Sequence, residues 1–123
     1  MDNWLAEIAL PLARQTRAWV PVGITHDFDE HNGRLALSAS PPGCAVFEFQ
    51  AFAALDNEGP ERRATTVANA FLNFIQDFIV RSLAEAWPVA ADGSLVLPST
   101  VVRDGVLEAS LGDGYVVRVK LRL

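Results

Sequence analysis

At 123 residues the chain is long enough for a single domain with one core, and the expected domain spans the whole of 1–123. Half of its residues are apolar and a fifth are charged, a balance that excludes an intrinsically disordered chain. A net charge of −5 and a pI near 4.8 weigh against nucleic acid or an anionic lipid surface as the main partner.

In chain order, Trp4, Leu5, Ile8 and Leu12 recur at helical steps, so Asn3 to Gln15 is predicted to be a short helix capped by Asp2 or Asn3. Pro11 falls inside it and should kink or end it, because proline removes one backbone hydrogen bond and crowds the preceding turn. Arg17 to Thr25 carries Trp19, Val20, Val22 and Ile24 around Pro21, which suggests an edge strand. A polar stretch follows, His26 to Gly33, closed by Asn32-Gly33, two residues that tolerate positive φ and mark a hairpin. Arg34 to Ala39 alternates, residues 40–43 form a Ser-Pro-Pro-Gly turn, and Cys44 to Phe52 alternates again.

The densest apolar pattern is Glu61 to Trp87. Val67, Ala70, Phe71, Phe74, Ile75 and Phe78 stack at steps of three and four residues, with Leu72, Ile79 and Leu83 widening the stripe. Pro60 suits the first helical position, Glu61 the positive end of the helix dipole, and Pro88 a stop. The last third contains short apolar segments separated by Asp92-Gly93, Asp104-Gly105 and Gly112-Asp113-Gly114, with strands expected at 89–91, 94–97, 100–102, 106–111 and from Tyr115 onward. In the final strand Val117, Val119, Leu121 and Leu123 face one way and Val116, Arg118, Lys120 and Arg122 the other.

The expected fold is therefore α+β: an antiparallel sheet of about five to seven strands packed on one long central helix (61–87), plus a short N-terminal helix. This order resembles the type III secretion chaperones, which are small, acidic and usually dimeric, and also the hot-dog and cystatin-like class, in which a curved sheet wraps a long helix. Both resemblances rest on element order alone. No motif of either group is present, so no family is assigned and no function is carried over.

Candidate chemistry is sparse. His26, Asp27, Asp29 and His31 supply histidine nitrogen and carboxylate oxygen of the kind that binds zinc, manganese or iron, although in an extended segment the two histidines have opposite parity. Cys44, the single cysteine, excludes an internal disulfide framework and is expected to be a small buried hydrophobe at the start of a strand. Arg118, Lys120 and Arg122 form a basic stripe able to grip an acidic partner, and Trp19 could anchor an interface. No catalytic constellation and no cofactor motif is present.

Two functional readings follow. The first is a non-catalytic protein-binding domain (a chaperone, immunity-type or adaptor protein) acting through a surface patch, expected to be homodimeric. The second is a small enzyme or ligand-binding domain with a pocket between sheet and helix, metal-dependent if residues 26–31 converge. With no apolar run approaching the roughly 20 residues of a membrane span and no basic lead-in at Met1-Asp2, the expected location is cytoplasmic.

Overall fold

The computed structural model describes residues 4–39, 43–49, 59–94, 96–112 and 114–121, with backbone only at 4–6. The turn expected at 40–42, the end of the strand expected at 44–52, the polar loop at 56–58, Arg122 and Leu123 lie outside the described residues.

Helix α1 (Trp4–Thr16) runs through Pro11 without ending there. A single 3₁₀ turn, Arg17–Trp19, follows it. Strands β1 (Ile24–Asp29), β2 (Arg34–Ala39) and β3 (Gly43–Glu48) form an antiparallel meander in the order β1-β2-β3. Helix α2 (Pro60–Leu83) starts with proline in its first turn, as its fixed φ favours, and ends at Ala84, which takes a left-handed φ of 57°. Strands β4 (Ser99–Arg103), β5 (Val106–Ser110) and β6 (Val116–Lys120) form a second antiparallel meander, β4-β5-β6. The β4-β5 turn is the two-residue Asp104-Gly105 with φ of 53° and 74°, both positive as the twist of a tight hairpin requires.

Three expectations are corrected. The strands form two separate three-stranded sheets, not one of five to seven. Alternation along each strand shows which residues are buried, but it does not show which strands are neighbours. The strand expected at Arg17 to Thr25 is a 3₁₀ turn and a loop; β1 begins only at Ile24, past Pro21, and runs through the polar residues 26–29. The long helix stops at Leu83, four residues before Trp87. In addition, residues 90–94 form a turn, with Ala90 N–H donating to the Ser94 carbonyl, and the described residues of 89–91 and 94–97 do not form the two strands expected there.

Both sheets and both helices contribute to one core. Ile8 and Leu12 come from α1, Leu35 and Leu37 from β2, and Val67, Phe71, Leu72, Ile75 and Ile79 from α2; Leu107, Ala109, Val117 and Val119 come from the second sheet. Phe71 of α2 meets Phe47 and Phe49 at centroid distances of 5.5 and 5.2 Å, and Phe28 meets Phe49 edge-on at 5.7 Å, so an aromatic cluster bonds the first sheet to the long helix. Gln76 is buried on that helix although its polarity suggests the wet side. Its amide donates to the carbonyls of Trp87 and Val96, which pins those two residues to α2.

Candidate functional site

The inward residues of each strand go to the core, so the outward residues define two solvent faces. In the second sheet the register aligns three rows: Ser99-Ser110-Val116, Val101-Glu108-Arg118 and Arg103-Val106-Lys120. That face carries three cations and one carboxylate. Arg118 uses its Nε to reach Glu108 at 3.2 Å; among the described residues Arg103 and Lys120 have no ion-pair partner. Val101, 37% exposed, lies two residues before Arg103 on β4, in the next row, and Leu97, 71% exposed, continues the same outward alternation two residues before the strand.

The first sheet has the opposite sign. Its outward rows are Thr25-Ser38-Cys44, Asp27-Ala36-Val46 and Asp29-Arg34-Glu48, with three carboxylates and one arginine. The arginine is neutralised directly, Arg34 Nη2 lying 2.7 Å from Glu48. An acidic chain thus presents one cationic and apolar face, and it is the one on which Arg118 and Lys120 were expected to act. Arg103 was missed by sequence reasoning because the strand was expected to end at Val102; the Asp104-Gly105 pair right after it is the signal that extends β4 to Arg103.

The edges of the second sheet differ. On β6 the side-chain amide of Gln15 bonds both backbone groups of Arg118, so α1 closes that edge. These bonds show that the Arg118 N–H and C=O point away from β5. Ladder alternation then turns the backbone groups of Val101 toward β5, and those of Thr100 and Val102 outward. Among the described residues nothing pairs with that outer edge of β4.

The other expected site residues do not gather. His26 points inward from β1 and is 8% exposed, whereas His31 lies in the exposed 30–33 turn. Asp29 clamps that turn, accepting from the N–H groups of His31 and Asn32 at 3.0 and 3.3 Å and from the Asn32 amide at 2.6 Å. The Asn32 side chain, with the backbone bonds, holds its carboxyl below the ordinary value. Asp27 is exposed on the outward face. Among the described residues no group of three or more His, Cys, Asp or Glu side chains is arranged to hold a metal ion. Trp19 is half-buried, packed edge-on against Tyr115 at 5.4 Å, and Tyr115 in turn meets Trp87 at 5.2 Å. Cys44 is exposed on β3, not buried as expected.

A small groove of about 210 Å³ lies between α1 and β1, lined by Ala13, Arg14 and Arg17 on one side and by His26, Asp27, Phe28 and Glu30 on the other. Thr16 Oγ1 lies 2.7 Å from the Leu12 carbonyl and 3.1 Å from His26 Nε2. The hydroxyl has one proton, which goes to the carbonyl, so Nε2 must donate to the oxygen and Nδ1 is the bare nitrogen. Nδ1 is buried without a partner among the described residues. Burial lowers the pKa of the ring, and Arg17 acts in the same direction, against its own backbone and Asp27. No family model matches the chain, and no curated protein and no solved structure matches it either.

Proposed function

We propose that the chain is a non-catalytic protein-binding domain, of the chaperone, immunity-type or adaptor kind, that works through the outward face of the second sheet. The observation that carries this reading is the pair of cations Arg103 and Lys120, without ion-pair partners among the described residues, lying in one row on either side of Val106 with exposed Val101 in the next row, on a protein whose net charge is −5. Cationic side chains around an apolar centre are suited to an acidic protein surface, where charge sets orientation and apolar contact supplies affinity. The groove beside His26 favours a second reading, a small-ligand domain, through its orphaned Nδ1. Its volume, however, falls below the roughly 300 Å³ at which ligand pockets begin.

The test is selection of random displayed peptides on the immobilised domain, run in parallel on the R103E/K120E double variant. Enrichment of acidic, apolar-bearing peptides that the double variant fails to capture supports the face. Equal enrichment on both proteins, or none on either, contradicts it.

A further inference from the structure

We infer that β4 accepts an extended acidic segment of a partner protein as a fourth, antiparallel strand of the second sheet, with a carboxylate opposite Arg103, an apolar residue opposite Val101 and another opposite Leu97. This rests on the protein-binding reading and names its ligand.

The backbone supplies the docking groups. The N–H and C=O of Thr100 and Val102 face outward from β4, and an added strand satisfies them as a sheet neighbour does. Ser99, Val101 and Arg103 then occupy the non-hydrogen-bonded positions, where facing side chains approach most closely. Antiparallel addition continues the pattern of the whole sheet. Reading the partner from its N-terminal side, the acid comes first, the residue facing Val101 two positions later, and the residue facing Leu97 four positions after that. Arg103 lacks an ion-pair partner among the described residues, and Lys120, in the same row, adds to the positive potential.

Charge decides between this occupant and a second copy of the chain. β4 contains no Asp or Glu, so no register of β4 against its own copy places an acid opposite Arg103. The β3 strand has Val46 and Glu48 at the right spacing, but in a parallel register, with Glu48 already held by Arg34 at 2.7 Å.

The experiment is fluorescence-anisotropy titration of the labelled peptide Thr-Asp-Thr-Val-Thr-Ser-Thr-Leu-Thr and its Asp-to-Lys counterpart against the wild-type chain, R103E and R103Q, with circular dichroism confirming that each variant is folded. The wild type is expected to prefer the Asp peptide, R103E to weaken it roughly tenfold, R103Q to fall between, and the Lys peptide to recover binding to R103E. Amide exchange at Thr100 and Val102 slows on saturation.

Binding that ignores the charge at 103, or no binding up to millimolar peptide, overturns the inference. If selected peptides still depend on the cationic face while this one does not depend on Arg103, the strand-addition inference fails and the protein-binding reading stands. Concentration-dependent self-association that slows exchange at Thr100 and Val102 without peptide also overturns it and assigns the edge to a second copy.

Discussion

The Gln15 side chain bonds Arg118 as a neighbouring strand would: its Nε2 donates to the Arg118 carbonyl at 2.9 Å, and its Oε1 accepts from the Arg118 N–H at 3.2 Å. The next residue, Thr16, meets His26 of the first sheet at 3.1 Å. The last turn of α1 therefore ties the edge of one sheet to the inner face of the other, and it leaves β4 as the edge of the second sheet that no described residue covers.

Gln15→Ala removes both bonds at an exposed site, where water replaces much of what is lost. The expected cost is about 1 kcal/mol in denaturant unfolding. The sharper readout is hydrogen exchange, with the Arg118 amide accelerated while the Val117 and Val119 amides stay protected. Unchanged exchange at Arg118 contradicts the edge-closing role.

His26 sets a pH dependence. Its folded pKa is lowered below 6.5, chiefly by burial, so the unfolded chain binds the proton more readily than the folded one. The sign is then fixed: the contribution is fully present above the unfolded value and is lost as pH falls from about 6.5 toward the lower folded pKa. Of the charged groups around the ring, Arg17 opposes protonation and Asp27 favours it, while Arg14 and Glu30 line the same groove. Urea midpoints should decline between about pH 7 and pH 5 in the wild type, and H26Q should flatten that decline. Asp29 and Asp92, whose carboxyls are held low by Asn32 and Ser94, add a further loss only as pH falls through the acid range below 3.8.

Phe71 is fully buried between the first sheet and α2, against Phe47 and Phe49. Phe71→Ala leaves a void that the aromatic cluster cannot close, and the expected cost is about 4 kcal/mol. A loss below about 1 kcal/mol shows that the cluster does not join sheet and helix in this way.

Ala84 closes α2 with a φ of 57°, a conformation that costs an L side chain more than glycine. Ala84→Gly is expected to raise stability by about 0.5–1 kcal/mol, seen as a higher melting temperature. A drop instead means that residue 84 is not left-handed in solution.

Much of this arrangement is legible in the residues because it is local. The helical spacing from Val67 to Phe78 is the core stripe of α2, and Asn32-Gly33 and Asp104-Gly105 mark real hairpins. The alternation of β6 places Val117 and Val119 inside and Arg118 and Lys120 outside. What is not legible is long-range. Splitting the strands into two sheets depends on how they pack around α2, and a strand's period carries no record of its neighbour. Burial of His26 and Gln76 runs against their polarity; His26 is admitted by the Thr16 hydroxyl and Gln76 by the carbonyls of Trp87 and Val96, partners from other elements of the chain. The cationic face was half visible: Arg118 and Lys120 share a strand, but Arg103 joins them only through the register of β4 on β5 and β6.

The most direct test of the proposed function is a ¹⁵N–¹H NMR titration of the chain with a selected acidic peptide. Shifts are expected to concentrate on the outward residues of β4, β5 and β6, led by Val101, Arg103 and Lys120, with Thr16, His26 and Phe28 unmoved. Shifts concentrated at Arg14, Arg17, His26 and Glu30, with β4 to β6 silent, would contradict it and assign function to the groove.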